Sequence, residues 1–128
     1  MATAKQTSVP ERALALYRAA LEAVPGLEEK SNFGAAYTAI NGNMYSMISK
    51  HGLVGVRLPP DERDAFMAEH GTELFRGDPA WPPAKEFVAV PAAMLADTPR
   101  LAALIDHAFR YTRTLKPKPT TRPKKPKP

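Results

Sequence analysis

The side chains whose types suit acid–base or metal chemistry are three histidines, His51, His70 and His107. A helical metal site needs two histidines four residues apart on one face, and no pair here has that spacing. His70 stands where a helix is predicted to end, and the helix dipole favours a cation there without any function. His107 follows Asp106 directly, and adjacent residues do not share a helix face. Paired acids occur at Glu28-Glu29 and among Asp61, Glu62 and Asp64. The second group opens a predicted helix, where acids are favoured, and both groups read as solvated. Gly52-Leu53-Val54-Gly55 has the spacing of an RNA-clamping loop, but that loop lies between helices and this one opens a strand. Catalysis needs a nucleophile, a base and an orienting group together, and no such set stands out. The expectation is a non-enzymatic protein with no metal and no cofactor.

Binding chemistry is more visible. Residues 116–128 hold six cations, Lys116, Lys118, Arg122, Lys124, Lys125 and Lys127, and no acid. Residues 1–115 hold the other twelve basic residues and all thirteen acids, so that part carries one net negative charge. The overall charge of +5 therefore says nothing about a basic face on the folded part. Alternating proline and cations cannot bury enough surface to offset ordering entropy, so 116–128 is expected to be a disordered, extended tail. Such a tail attracts polyanions. It would contact nucleic acid without sequence preference and with steep salt dependence. A merely solubilising tail is the other reading. Trp81, Tyr45 and Arg57 are the candidate protein-partner surface, because tryptophan is enriched in interface hot spots. The favoured reading of Trp81 is nonetheless a plug over the sheet edge or core, and Arg57 and Arg76 are candidates to stand beside it.

The elements that must position these residues are organised around residues 33–58. Asn41-Gly42 separates two runs of alternating character, the pattern of a type I′ hairpin. A second turn at Lys50-His51-Gly52 completes a meander. A two-residue loop pairs Ile40 with Asn43, Ala39 with Met44 and Tyr37 with Ser46. One face then carries Phe33, Ala35, Tyr37, Ala39, Met44 and Ile48, and the other Ala36, Thr38, Ile40, Tyr45 and Met47. No charge falls between Phe33 and Ser49. Helices covering both faces are the expectation, and a partner or dimer surface on one face or edge is the alternative.

Ahead of the meander, Ser8-Val9-Pro10-Glu11 reads as a capping box, and Leu14, Tyr17, Leu21 and Val24 form a helical stripe ending at Pro25-Gly26. Tyr17 is expected in the core with its hydroxyl at the rim. Residues 28–32 read as a polar approach to the first strand. After the meander, Pro59-Pro60-Asp61-Glu62 starts a helix that Gly71 stops, with Ala65 and Phe66 inward. Strands are predicted at 72–76 and 85–90, around the proline-rich loop 77–84. Pro91 opens a short helix, and Asp97-Thr98-Pro99 caps a longer one whose inward face is Leu101, Leu104, Ile105, Ala108 and Thr112. The fold class is α+β: an antiparallel β-meander of about five strands with helices packed on it, in the order α-βββ-α-ββ-αα. The domain organisation is a flexible 1–9, a domain over 10–115 and the tail over 116–128.

There is no cysteine, which excludes disulfides, thiolate catalysis and cysteine zinc sites. The first residues lack the apolar core of a signal peptide, and the longest apolar runs are five residues against about 20 for a membrane span. A reducing cytoplasm and no membrane partner are expected.

Several short motifs recur in one order: Asn32-Phe33-Gly34, Asn41-Gly42-Asn43-Met44-Tyr45, Val56-Arg57-Leu58 before an acidic helix start, Phe75, and Phe87-Val88-Ala89-Val90-Pro91 before a final amphipathic helix. In this order, over about residues 11–114, the chain resembles the TfoX N-terminal domain family of competence regulators, with Asn32 where the family pattern has Met. The resemblance implies a secretion-chaperone-like α+β fold. It also implies a non-enzymatic, regulatory role with an unknown protein partner or a homodimer. It carries no catalytic residues; Gly34 and Pro91 are structural positions in it. Full-length competence regulators have a second domain, and here a basic tail follows the first, so functions that depend on a second domain are not expected.

Overall fold

The computed structural model describes residues 10–32, 35–78 and 80–117. Helix α1 (Glu11–Glu22) leads into strands β1 (Glu29–Asn32), β2 (Ala35–Ile40), β3 (Asn43–Ile48) and β4 (Val54–Arg57). Helix α2 (Pro60–His70), strand β5 (Phe87–Ala89) and helices α3 (Ala92–Leu95) and α4 (Thr98–Thr112) follow. The five strands form one antiparallel sheet in sequence order. The fold is α+β, as expected, with a difference in which segments supply the strands. Residues 29–32 pair with β2 as a strand, whereas 72–76 contribute a single bridge, Leu74 to Val88, along the outer edge of β5.

Turn chemistry acts where the sequence places it. Asn41 and Gly42 both have positive φ, 55° and 78°, as a type I′ turn requires. Gly71 ends α2 in the left-handed region. At the start of α1 no side chain caps the helix, and Pro10 occupies the N-cap position. Ser8, the expected cap, lies outside the described residues, as do Phe33 and Gly34 and the expected flexible segment 1–9.

The expected register holds for two pairs and then slips. Ile40 faces Asn43 and Ala39 faces Met44, but Thr38 faces Ser46 and Tyr37 faces Met47. Two residues of β3, Met44 and Tyr45, fit where one would, which is a β-bulge. Tyr45 and Ser46 therefore both turn inward, and the later residues exchange faces. Ile48 joins the buried face and Met47 the other, the reverse of the expected assignment.

Two neighbouring cross-strand rows define the layers. The row Thr38, Ser46, Val56 and Val88 is fully buried. Over this face lie α1, α3 and α4, which pack against one another and, through α4, on β2, β3 and β4. Tyr17, Ala20, Leu101, Ile105 and Ala108 complete that core. Helix α2 leans on β5 and turns Phe66 inward, while Ala65, expected inward, is exposed. The adjacent row is Tyr37, Met47, Gly55 and Ala89. Its cover over Gly55 is a loop residue rather than a helix: Phe75 lies so close that a Cβ on Gly55 would come within 2.5 Å of its ring. Glycine in a strand interior makes room for such an approach. The expectation of helices on both faces is thus corrected, because Tyr37, Ala39, Met44 and Met47 stay half-buried.

Candidate functional site

Asp78 organises the loop that carries Trp81. Its Oδ1 accepts from the Ala80 N–H at 2.9 Å, and its carbonyl accepts from the Trp81 N–H at 2.9 Å. An aspartate side chain that bonds the backbone two residues on mimics a turn and fixes it. The other carboxylate oxygen faces His51 Nε2 at 3.5 Å and Lys50 Nζ at 3.9 Å, in the turn between β3 and β4. The Ala80 N–H, helped by His51 and Lys50, holds the Asp78 carboxyl below its ordinary 3.8. Arg76 Nη1 donates to the Trp81 carbonyl at 2.6 Å. Gly77 lies beneath the indole, where a Cβ would stand 3.0 Å from the ring. The outcome is a braced loop whose tryptophan is 57% exposed, so Trp81 is no plug.

The other two members of the expected partner surface are built inward. Tyr45 is 1% exposed, with its ring edge-to-face on Phe109 at 5.4 Å. The bulge turns it to the helices, so it belongs to the core and not to a partner surface. Arg57 has a side chain only 12% exposed. Its Nε donates to the Met44 carbonyl beside the bulge at 2.8 Å, its Nη1 pairs with Glu86, and its guanidinium lies over Phe87. Arg57 therefore holds β3, β4 and the approach to β5 together, and only Arg76 reaches Trp81. Among the described residues, Leu53 is exposed just before β4, and Tyr37, Met44 and Met47 are half-buried on the sheet face away from the helices.

Two of the three histidines form pairs between elements. His51 meets Asp78 as above, and His107 on α4 meets Glu62 on α2 through exposed side chains. His70 packs its ring on Phe66 at 4.4 Å. Among the described residues, no three His, Cys, Asp or Glu side chains gather closely enough to hold a metal ion. Nor is any helix among them long and apolar enough to cross a membrane.

One polar cluster escaped sequence reasoning. Ser46 Oγ lies 2.7 Å from the Tyr17 hydroxyl and 2.6 Å from Thr38 Oγ1, all three buried. The Tyr17 hydroxyl is therefore interior rather than at the rim. Burial pushes it well above its ordinary 10.0, against the opposing bonds to Ser46 and Thr38. A buried chain of neutral hydroxyls is a structural device that satisfies polar groups within the core.

Of the six expected tail cations, Lys116 is described; Lys118, Arg122, Lys124, Lys125 and Lys127 lie outside the described residues, as does the expected tail conformation over 118–128. The chain at Lys116 is anchored. Asn43 is buried at the start of β3, and its Nδ2 donates to the Lys116 carbonyl at 3.0 Å. Asn41 Nδ2 reaches the Arg113 carbonyl at 3.5 Å. The hairpin turn thus receives the end of α4.

No family model, curated protein or solved structure matches this chain.

Proposed function

We propose that this chain is a small, non-enzymatic protein-interaction domain that presents the Trp81 loop and the neighbouring open sheet face to a protein partner. The observation that carries this reading is an exposed tryptophan on a loop braced by Asp78, Arg76 and Gly77. Mobile loops lose entropy on binding, whereas a braced aromatic loses little, and rigid aromatic anchors dominate interface energy. The half-buried Tyr37, Met44 and Met47 offer further apolar area on the sheet face away from the helices. The titratable pairs, His107 with Glu62 and His51 with Asp78, are exposed bridges between elements, which favours a structural role for them. The resemblance to the TfoX N-terminal domain family adds a regulatory role to the reading. The test is partner capture on the immobilised full chain, comparing wild type, Trp81→Ala, Met47→Lys and, as a distant exposed control, Arg100→Ala. Partners held by wild type and Arg100→Ala should be released by Trp81→Ala or Met47→Lys. Identical recovery with all four removes this surface from the function. Light scattering on the same set decides whether the partner is a second copy.

A second reading, nucleic-acid association through the basic tail, is favoured by the anchoring of Lys116, which gives the tail a fixed point of departure. Neutralising Lys118, Arg122, Lys124, Lys125 and Lys127 to Gln in the full chain should abolish salt-sensitive binding to a random-sequence duplex. Binding that survives this change excludes the tail as the cause.

A further inference from the structure

We propose that Arg113 and Lys116, held on the folded body at the end of α4, are phosphate contacts for a bound nucleic acid. This rests on the nucleic-acid reading above and extends it from the tail onto the domain. After Asp106 the sequence holds eight Lys or Arg residues and no acid. The first, Arg110, is committed to Asp106 at 3.0 Å one turn earlier. Arg113 and Lys116 have no ion pair among the described residues, and both are exposed. The Arg113 guanidinium lies over the Phe109 ring at 5.6 Å, and Phe109 packs on the buried Tyr45. The guanidinium therefore stands on an aromatic pair that reaches into the core.

Lys116 is placed by its backbone. Leu115 N–H donates to the Thr112 carbonyl at 2.9 Å, closing the last turn, and Asn43 then takes the Lys116 carbonyl. The negative end of a helix dipole favours cations within the last turn. That accounts for a cation near Thr112 but not for a buried asparagine that fixes the chain at Lys116, beyond the helix end. Two unpaired cations on fixed backbone lose less freedom on meeting phosphates than cations on a free chain. Exposed arginine stacked on a ring keeps its outward N–H groups for phosphate oxygens, which accept them in forked geometry.

The experiment is the salt dependence of binding to a labelled random-sequence DNA duplex, by fluorescence anisotropy, with the full chain throughout. The variants are Arg113→Gln, Lys116→Gln, Arg110→Gln and the tail variant with Lys118, Arg122, Lys124, Lys125 and Lys127 changed to Gln. Each phosphate contact contributes about 0.9 to the slope of log K against log salt. Arg113→Gln and Lys116→Gln should each lower the slope by about that amount, whereas Arg110→Gln should change it less. Unchanged slopes for Arg113→Gln and Lys116→Gln, with binding lost in the tail variant, overturn this proposal and leave the nucleic-acid reading standing. Absence of binding by the wild-type chain at low salt overturns both.

Discussion

Two neighbouring rows of the same sheet, one residue apart in register, meet opposite environments. Thr38, Ser46, Val56 and Val88 vanish under helices, whereas in the row of Tyr37, Met47, Gly55 and Ala89 a single loop residue, Phe75, covers Gly55 and leaves Tyr37 and Met47 half-exposed. The helix side is closed by apolar bulk and neutral hydroxyls that bond one another. The loop side is closed by one ring and by charged clamps: Arg57 on Met44 and Glu86, and Asp78 on Ala80, His51 and Lys50. Apolar bulk is insensitive to solvent conditions that change charges, and loops with few buried contacts open more readily than core helices. A surface that exchanges partners belongs on the second kind of face.

The largest expected effect tests whether the loop side is nonetheless part of the cooperative fold. Phe75 is 1% exposed, and burying a phenylalanine fully makes its truncation cost about 3–5 kcal/mol. Phe75→Ala should lower the stability measured in urea by an amount comparable with Ile105→Ala on the helix side, for which about 2–5 kcal/mol is usual. Gly55→Ala should act through the same contact, since its new methyl would meet the Phe75 ring. If Phe75→Ala costs less than about 1 kcal/mol, as exposed substitutions do, the loop is a detachable flap and the two faces differ more than described.

The helix side carries the next two. Ser46→Ala leaves the Tyr17 and Thr38 hydroxyls buried without their shared partner, which costs about 1–3 kcal/mol. Tyr17→Phe removes one outer member only, so Thr38 and Ser46 still pair, and the loss should be smaller. Equal losses would mean the three hydroxyls do not act as a chain. Thr112 is fully buried, and its hydroxyl finds no partner among the described residues. Replacing a buried unpaired hydroxyl with a methyl of similar shape removes its desolvation penalty, so Thr112→Val should raise stability by up to about 1 kcal/mol. A drop in the melting temperature would show that the hydroxyl is bonded in solution.

The division between the faces also sorts what the sequence disclosed. Local chemistry was legible: Asn41-Gly42 takes the two positive φ angles, Gly71 stops α2, and Leu101, Ile105, Ala108 and Thr112 face inward. The misses share a cause, namely contacts between distant segments. Residues 29–32 are polar, and their strand exists because β2 offers a ladder beside them. The bulge is favoured because Tyr45 meets Phe109 and Ser46 meets Tyr17, pairs that no alternation pattern contains. Of the candidate partner residues, the proline-rich context kept Trp81 outside, whereas Tyr45 and Arg57 were drawn in by the bulge. Gly55 was the one readable hint of Phe75, since an isolated glycine within a strand signals a close approach.

The smallest expected effect distinguishes the faces by charge. The Asp78 carboxyl is held below its ordinary 3.8 in the fold. A depressed folded-state value contributes stability that is fully present above the unfolded value and is lost as pH falls through the folded one. Acid should therefore release the loop clamp only below 3.8. On the helix side the buried Tyr17, Ser46 and Thr38 hydroxyls are neutral in acid, so that cluster does not respond over the same range. The chain has one tryptophan, and it sits in the clamped loop, so emission excited selectively at Trp81 reports the local event. On acidification, the Trp81 signal should change before the far-ultraviolet dichroism of the helices does. Asp78→Asn retains an acceptor for the Ala80 N–H but carries no charge, so it should remove the early change and leave the later one. Coincident transitions in the wild-type chain, or an early change that persists in Asp78→Asn, would mean that charge does not hold the loop face closed.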